Sequence, residues 1–317
     1  MQRISWILVL SFLATACGDG TEGTTPVDTP DLDFPDSDEP VEDMGTPDGP
    51  RFKVVTFNTQ RFFDTVCQSN NCGANSFEDQ KSQAEFDFKL SQVVSSIEEM
   101  NADAVLLQEI ENETVMDAIQ GALEVPFEVA VMGEIGTSAS LDVVVLSRGE
   151  FIETRTHREN PIYRPDGSRT SFAREFLEVH VDVDGERVVL FSSHFRSQRD
   201  DDPGRRIAEA EAGRTIVKST AAEFPDALVV WGGDLNDTPD SDTLSPVVSD
   251  PALNLLTETD FWSYQFNSQR QHIDHLILAE NGGGAYDEGT LEQFLDAGGG
   301  FGGSDHAAVG ATFLMVD

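Results

Sequence analysis

The chain contains 317 residues, which is enough for one large α/β domain or two small ones. Hydrophobic residues make up 39% of it, which excludes a wholly disordered protein. Acidic residues outnumber basic residues by 58 to 20, and a negative field of this size repels polyanions unless salt or divalent ions screen it. The charge therefore argues against a tight, sequence-specific DNA-binding protein.

The N-terminal segment is typical of an export signal. Arg3 precedes an apolar run over residues 4–13, which is too short for a permanent membrane-spanning helix. The small residues that follow end at Cys17 and resemble the lipobox of bacterial lipoproteins, which implies cleavage before Cys17 and lipidation of its thiol. We predict a signal peptide over residues 1–16 and an exported, membrane-anchored protein, either periplasmic or at the cell surface. Ala14 replaces the Leu that is usual at its position, so secretion with a free Cys17 is the alternative.

Residues 17–50 are predicted to form a disordered tether that starts at the lipidated cysteine. Residues 18–50 hold 11 acidic residues and six of the 14 prolines but no Lys or Arg, a composition that cannot bury a core. No composition break divides residues 51–317, so we predict one folded domain there. This domain still holds 47 acidic and 19 basic residues. Adaptation to salty surroundings is another explanation of the charge.

Cys67 and Cys72 lie in a polar loop with four residues between them. One pair of cysteines in an exported protein indicates a local disulfide bond. The alternatives are two free thiols or half of a zinc site, but the sequence has no second pair of cysteines to complete four zinc ligands.

From Phe52 onward, apolar runs of strand length alternate with turns and two helical patterns. Residues 86–100 and 205–224 carry apolar side chains at helical spacing, and residues 182–187 indicate a hairpin turn. Hairpin and helical connections together favour a mixed sheet, or two packed sheets with helices outside. The predicted strands are 52–58, 104–109, 141–147, 175–182, 187–194, 228–234, 272–278 and 308–316.

Several of these strands end in a side chain that can hold a metal ion or a proton. Asn58, Glu109 and His194 each follow an apolar run directly, and Asp234 is followed closely by Asn236. Strand ends on a rigid scaffold are where α/β folds place their chemistry. Each residue alone has an ordinary explanation, such as a turn-forming Asn, a solvated Glu or a helix-capping Asp. Their order along the chain decides between the two interpretations.

That order resembles the endonuclease/exonuclease/phosphatase superfamily, which includes deoxyribonuclease I. The resemblance covers nearly all of residues 52–317, and the first segment is close to the longer motif of secreted bacterial members. Ala307 and Ala308 depart from the pattern, since Asp-Pro or a similar pair often follows the last His. The resemblance implies a catalytic domain over residues 51–317 with an α/β fold of four layers, in which two packed mixed β-sheets are flanked by helices. The matching segments are Thr56-Phe57-Asn58, Leu107-Gln108-Glu109, Ser193-His194-Phe195, Gly233-Asp234-Leu235-Asn236, Ile273-Asp274-His275 and Ser304-Asp305-His306.

The resemblance also implies a role for each site residue. Asn58, Glu109 and Asp305 would bind a divalent cation, with Glu109 as the main ligand. Mg²⁺ suits such oxygen ligands, and Mn²⁺ or Ca²⁺ are alternatives. Asp274 would hold His306. The expected catalytic residues, which position water, stabilise charge or transfer protons, are His194, Asp234, Asn236, Asp274 and His306.

Three arginines and one further aspartate are weaker candidates. Asp142, which precedes an apolar strand, is the candidate to orient His194. Arg174 falls where family members often carry an Arg that supports the site. Arg174 and Arg196 are expected to bind a substrate phosphate, as is Arg199. For Arg196 and Arg199 the alternative is a solvated loop.

The sequence leaves three functions open. The first is an exported nuclease that cleaves phosphodiester bonds of DNA or RNA, bound weakly because of the protein's charge. The second is a phosphatase or phospholipase C-type enzyme that acts on a phospholipid headgroup or small phosphoester, which the acidic surface tolerates better. The third is a non-catalytic, lipid-anchored binding module, which the intact set of site residues opposes. We predict the first and expect a monomer.

Overall fold

The structure of the protein is a computed structural model that describes residues 49–73, 76–199, 201–258, 261–266 and 268–316. The predicted signal peptide, Cys17 and the tether up to residue 48 lie outside these residues, so those predictions stay predictions. In the described ranges, no helix is long and apolar enough to cross a membrane.

The described residues form short strands and a few helices in alternation. The strands are β1 (Arg51–Phe62), β2 (Ala104–Ile110), β3 (Val129–Gly133), β4 (Asp142–Ser147), β5 (Glu150–Thr156), β6 (Ile162–Tyr163), β7 (Arg169–Thr170), β8 (Leu177–Val183), β9 (Glu186–His194), β10 (Leu228–Asp234), β11 (Leu253–Leu255), β12 (Tyr264–Phe266), β13 (Gln269–Gln271), β14 (Asp274–Ala279), β15 (Gly284–Tyr286), β16 (Glu292–Phe294) and β17 (Ala308–Met315). The helices are α1 (Gln83–Met100), α2 (Glu113–Ala122), α3 (Pro203–Glu223) and α4 (Ser245–Val248).

These strands form two large mixed sheets and two small hairpins, β6–β7 and β12–β13. The first sheet has the order β15-β17-β1-β2-β4-β3, with β16 also paired to β17. The second sheet has the order β11-β14-β10-β9-β8-β5. Each sheet contains one parallel pair, β1–β2 in the first and β9–β10 in the second, among antiparallel neighbours. A helix joins the strands of each parallel pair along the chain, α1 for β1–β2 and α3 for β9–β10.

The two sheets pack face to face, and helices cover their outer faces. Val54 of β1 and Val230 of β10 lie in the core between the sheets. Their neighbours point the opposite way, since Val55 packs with the apolar side of α1 and α2, and Trp231 packs with that of α3. Burial on both faces explains why the central strands are continuous apolar runs. The predicted four-layer sandwich is confirmed.

Both predicted helices are present and begin two or three residues earlier than predicted. Ser82 caps α1 in a reciprocal capping box with Glu85, and α1 ends at Asn101, whose φ of 44° is left-handed. The side chain of Asp202 caps α3 by accepting the backbone N–H of Arg205 at 3.0 Å. The polar residues before the first apolar position therefore complete the first turn of each helix.

The predicted strands are all present, and most of their ends agree within two residues. The exception is β1, which continues through a register shift to pair Phe62 with Ile110. The predicted hairpin turn is also confirmed, because Val183 pairs with Glu186 between β8 and β9. The elements that the sequence did not predict include β3, β5 and α2. The strand β5 is mostly exposed and therefore lacks the apolar run that would have indicated it.

The predicted disulfide bond between Cys67 and Cys72 is confirmed, with the two Cα atoms 5.9 Å apart. It closes the loop between β1 and α1. Glu78 holds this loop by accepting the backbone N–H groups of Ser69, at 2.7 Å, and Gln68.

Candidate active site

The predicted site residues meet at one edge of the sandwich, where the carboxyl ends of β1, β2, β9 and β10 come together. Asn58 in β1 pairs with the residue that precedes Glu109 in β2. Asp234 in β10 pairs with His194 on one side and with Asp274 on the other. The two parallel pairs and β14 thus bring five predicted residues to this edge.

Asp234 is the buried centre of the site. Asn58 Nδ2 donates a hydrogen bond to Asp234 Oδ2 at 2.9 Å, which joins the first sheet to the second. The backbone N–H of Asn236 donates to Asp234 Oδ1 at 2.9 Å. Burial and the charge of Asp274 raise the pKa of Asp234 to about 7. Asp234 can therefore exchange a proton near neutral pH, as a general base requires.

His306 is paired with Asp274 across the two sheets, with 2.8 Å between His306 Nδ1 and Asp274 Oδ2. Burial opposes a charge on this imidazole, but the carboxylates of Asp274 and Asp234 outweigh it and raise the pKa of His306 to about 10. The ring of Tyr264 lies against that of His306, with 4.8 Å between their centroids. His306 is therefore an imidazolium at neutral pH and can stabilise negative charge.

His194 is buried on the other side of Asp234, with 3.5 Å between His194 Nε2 and Asp234 Oδ2. Burial lowers the pKa of His194 well below its usual value, and the positive charges of Arg174 and His306 lower it further. The two histidines of the site therefore differ in protonation, because His194 is neutral and His306 is charged.

The prediction that Asp142 orients His194 is wrong. Asp142 Oδ2 accepts the hydroxyl of Ser140 at 2.6 Å, and burial raises the pKa of Asp142 to about 6. His194 Nδ1 is buried and has no hydrogen-bond partner among the described residues. Asp142 begins β4 and is held by its own local turn, so it does not reach the imidazole.

Glu109 and Asp305 lie half-exposed at the rim of the site. Glu109 has a left-handed backbone with φ 65°, which costs about 1–2 kcal/mol, and its Oε2 accepts the N–H of Arg61 at 2.6 Å. Lys89 of α1 donates to the carbonyl oxygen of Gly303 at 3.0 Å. Burial lowers the pKa of Lys89 to about 8, while the charges of Asp305 and Glu109 act to raise it. Both carboxylates therefore lie within electrostatic reach of the same ammonium group.

A glycine-rich loop over residues 298–303 leads to Asp305 and His306. Gly300 has a left-handed φ of 74°, and a Cβ atom there would lie 2.0 Å from the carbonyl oxygen of Ser304, so this position requires glycine. The hydroxyl of Ser304 donates to the carbonyl oxygen of Asn58 at 2.7 Å and accepts the N–H of His306 at 3.0 Å. Ser304 thereby ties the start of β17 to β1.

The loops that carry Arg174 and Arg196 are joined by the buried carboxylate of Glu209 in α3. Glu209 accepts the backbone N–H of Ala173 at 2.6 Å and that of Arg196 at 2.8 Å. Burial raises the pKa of Glu209 to about 7, although these two hydrogen bonds and the charge of Arg205 act to lower it. Arg174 is half-buried and forms no ion pair or hydrogen bond within the described part of the chain. Its positive charge acts on the buried His194.

The sequence matches the model of the Endonuclease/Exonuclease/phosphatase family over residues 53–271, which is more than half of the chain. The chain belongs to the endonuclease/exonuclease/phosphatase family. No curated protein matches the sequence.

Three solved structures have the same fold as this protein. TDP2 from Caenorhabditis elegans is 16% identical, with a TM-score of 0.59 over 84% of this chain and 74% of that chain. A protein of the same family from Bacteroides vulgatus is 14% identical, with a TM-score of 0.60 over 84% of this chain and 100% of that chain. The human nocturnin catalytic domain is 12% identical, with a TM-score of 0.58 over 84% of this chain and 99% of that chain. At these identities the similarity shows the fold alone.

Enzymes of the endonuclease/exonuclease/phosphatase family depend on divalent cations, and two groups of side chains could hold one. Asp234, Asp274 and His306 have ligand atoms within 4.8 Å of one another. They are buried, however, and His306 Nδ1 and Asp274 Oδ2 are already bonded to each other at 2.8 Å. Glu109 and Asp305 offer half-exposed carboxylate oxygens, which suit Mg²⁺ because it keeps several waters and takes few protein ligands. The rim fits the cation better than the buried cluster does.

Some side chains that shape the site of this family member were not predicted. Ser263 Oγ accepts the backbone N–H of Asp274 at 2.9 Å, and so fixes the residue that holds His306. Only Ser304 carried a sequence signal, because it belongs to one of the matching segments. Glu209 gave none, since an acidic residue in a helix is usually solvated. The unpredicted residues are Lys89, Glu209, Ser263, Tyr264 and Ser304.

Proposed function

We propose that the protein is a metal-dependent phosphodiesterase that cleaves nucleic acids. One observation carries the proposal: the buried carboxylate of Asp234 and the imidazole of His306, which Asp274 holds at 2.8 Å, lie within 4.8 Å of each other at the strand ends. Such a pair lets one group accept a proton while the other neutralises an anion. Phosphodiester hydrolysis requires both, because the water must lose a proton and the phosphate gains charge.

Asn58, Glu109 and Asp305 are the residues proposed to hold the cation. Their oxygen donors favour Mg²⁺, with Mn²⁺ or Ca²⁺ as alternatives. When bound, the cation would neutralise charge on the phosphate group. Lys89 places a positive charge behind Glu109 and Asp305, which reduces the repulsion between the two carboxylates.

Asp234 is proposed to accept the proton of the attacking water, which Asn236 helps to position. As the water oxygen bonds to phosphorus, the bond to the leaving oxygen breaks and negative charge builds on the non-bridging oxygens. The imidazolium of His306, fixed by Asp274, stabilises that charge. His194, which is buried from solvent, stays neutral and can donate a hydrogen bond to the reacting phosphate. Positioned groups of this kind contribute about 10²–10⁴-fold each.

Nucleic acid is the proposed substrate for two reasons. TDP2 from D. rerio, which is 16% identical with a TM-score of 0.56, was solved in a complex with a single-strand DNA product. The loops on either side of Glu209 carry Arg174 and Arg196, which would hold phosphate oxygens next to the reacting one. We expect weak binding, because the domain holds 47 acidic and 19 basic residues.

A second function is favoured by exposed apolar side chains on the loop and helix next to Glu109. Val66, Phe77 and Phe88 are 58%, 55% and 65% exposed, and the guanidinium of Arg61 lies 5.3 Å from the ring centroid of Phe77. Aromatic side chains beside a phosphoesterase site could insert among lipids. This arrangement favours a phospholipase C-type or other phosphoesterase activity on a phospholipid headgroup as the alternative.

Hydrolysis assays test the proposal. The purified protein with Mg²⁺ is offered plasmid DNA, RNA, sphingomyelin and bis(4-nitrophenyl) phosphate, with and without excess EDTA. We expect cleavage of DNA or RNA that stops in EDTA. Undiminished cleavage in EDTA contradicts metal dependence, and turnover of sphingomyelin without nucleic-acid cleavage supports the second function. No turnover of any substrate contradicts both and favours a non-catalytic binding module.

We also propose that the protein is exported and anchored in a membrane through a lipid on Cys17. Its support is the N-terminal sequence: a short apolar run that ends in small residues and a cysteine, followed by an acidic, proline-rich stretch. The Cys17→Ser variant should move from the membrane fraction to the soluble fraction. Native protein found entirely in the soluble fraction, with an N terminus at residue 18 or later, contradicts the anchor.

A further inference from the structure

Basic residues are concentrated in two neighbouring segments of this acidic domain. Residues 158–174 and 196–206 contain eight of the 19 Lys and Arg residues of the domain but only five of its 47 acidic residues. A local positive region can hold a polyanion even when the net charge of the protein repels it. The charge of the whole domain therefore hides a basic surface.

Ion pairs hold the two segments together and use up part of their acidic charge. Arg164 in the first segment pairs with Asp202 in the second at 2.8 Å. Arg206 is buried between Asp201, at 2.6 Å, and Asp237, at 3.2 Å. These pairs are structural, because both partners are fixed by the fold.

A groove lies between the β6–β7 hairpin and the start of α3. It is open to solvent and has a volume of about 370 Å³. The Nε of Arg205 donates to the carbonyl oxygen of Ser171 at 3.0 Å, so one wall is bound to the other. Arg169 is exposed, and its side chain makes no hydrogen bond or ion pair within the described ranges. The lining residues are Glu159, Pro161, Arg169, Thr170, Ser171 and Arg205.

The groove is continuous with the candidate active site along the chain. Arg174 follows Ser171 by three residues, at most about 11 Å along the backbone, and its charge reaches His194. On the other wall, Arg205 lies close enough to Arg196 for their charges to interact. The groove and the site are thus two ends of one basic path.

We propose that this groove binds a phosphate of the substrate other than the one that is cleaved. Arg169 supplies one positive charge, and Arg205 supplies a second that is partly balanced by the buried Glu209, 3.5 Å from its Nε. The hydroxyls of Thr170 and Ser171 can donate to phosphate oxygens. Glu159 is the only carboxylate of the lining, and it is exposed, so solvent screens it. The inference rests on the proposed function and deepens it. The preferred substrate carries several phosphates along a strand, whereas a small phosphoester leaves the groove empty.

Arg169→Ala is the test variant, because the side chain is exposed and makes no contact that the fold needs. Arg51→Ala is the matched control: it removes the same charge from an exposed ion pair with Asp287, at the other end of β1. The substrates are a short single-stranded oligonucleotide and bis(4-nitrophenyl) phosphate, both at fixed saturating Mg²⁺. For Arg169→Ala we expect kcat/KM on the oligonucleotide to fall by roughly three- to tenfold, through KM, because one phosphate contact is lost.

The salt dependence gives a second readout. The slope of log kcat/KM on the single-stranded oligonucleotide against log NaCl should flatten by about 0.7 in Arg169→Ala, while hydrolysis of bis(4-nitrophenyl) phosphate stays unchanged. Equal kinetics of wild type and Arg169→Ala on the oligonucleotide overturn the groove and leave the nuclease intact. An equal loss in Arg51→Ala also overturns it, since net charge alone would then explain the effect. Failure of the wild type to cleave the oligonucleotide contradicts the proposed function itself.

Discussion

Each sheet contains a β–α–β unit of the same topology, and the two units end in different chemistry. The unit β1–α1–β2 ends at Asn58 and Glu109, whereas β9–α3–β10 ends at His194 and Asp234. In the second unit the ladder stays regular up to its last pair, and His194 and Asp234 are only 3% and 2% exposed. In the first unit the register shifts after Asn58, and the half-exposed Glu109 takes a left-handed backbone.

The difference shows how one scaffold supplies both parts of a hydrolytic site. A register shift turns the end of a strand out of the pleat, so the first unit presents a carboxylate to solvent, where a hydrated cation can reach it. A regular ladder keeps the end of the second unit buried, and burial disfavours the charged forms there, so it raises the pKa of Asp234 and lowers that of His194. The hydrogen bond from Asn58 to Asp234 joins the two units.

The largest effect is expected at Glu109, the proposed metal ligand of the first unit. Glu109→Gln removes one negative charge with little change in volume, and should lower kcat/KM by about 10³-fold or more while the protein stays folded. Glu111→Gln is the matched control two residues further on. Glu111 is buried, accepts the N–H of Asp64 at 2.6 Å and has a pKa of about 7, because burial raises it. Kinetics across a MgCl₂ titration, with Tm for both variants, measure the difference. A Glu109→Gln enzyme as active as Glu111→Gln would erase the distinction between the two units.

The next largest effect on activity is expected at Asp274, which pairs with Asp234 at the buried end of the second unit. Asp274→Asn should lower kcat by about 10²–10³-fold, because a neutral amide no longer holds the positive charge on His306. The pKa of His306 should fall, and NMR titration of its ring protons measures that directly. If kcat and the pKa of His306 both stay at wild-type values, the charged pair of Asp274 and His306 does not contribute to the activity.

A smaller effect is expected for Glu209, whose carboxylate joins the loops of Arg174 and Arg196. Glu209→Gln places an amide N–H₂ against the N–H of Ala173 or Arg196, and should reduce kcat/KM on oligonucleotides by about tenfold. Glu178→Gln is the control, because Glu178 is equally buried but bonds to Thr220, about 16 Å further along α3. Both variants should lose stability, as thermal unfolding would show. Only Glu209→Gln should lose activity at temperatures where both are folded, and equal activity of the two would leave Glu209 a purely structural residue.

The last expected effect is on stability rather than on activity and concerns Glu178. Burial acts to raise the pKa of Glu178, but hydrogen bonds from His157 and His180 outweigh it and lower the pKa to about 2. A carboxyl whose pKa is lowered in the folded state stabilises the fold above its unfolded pKa, near 4.5, and that contribution is lost as the pH falls toward 2. Urea unfolding should show about 3 kcal/mol less stability at pH 2 than at pH 5 from this group. Glu178→Gln should remove that part of the pH dependence, and an unchanged pH profile in this variant argues against it.

The sequence predicted the central strands because burial on both faces gives continuous apolar runs, and it predicted the strand-end residues because they follow those runs. It did not predict which of the strand-end residues would be buried, since burial of Asp234 depends on the packing of one sheet against the other. Asp142 was assigned to His194 because both flank apolar strands, yet a local turn with Ser140 holds it elsewhere. Glu209 could not be found, because its two hydrogen bonds are to backbone N–H groups, which carry no sequence signal, and its i, i+4 spacing from Arg205 is equally typical of a solvated helix surface.

The start of β1 determines on which side the domain can be attached to a support. The N–H of Met315 donates to the carbonyl oxygen of Pro50 at 2.9 Å, so β1 starts where β17 ends. Asn58 lies about 23 Å further along β1, at the opposite edge of the sandwich. Pro50 is therefore a handle on the side of the domain that lies away from the catalytic edge. A domain immobilised by that handle, on a resin or at a surface, keeps its active edge open to large substrates.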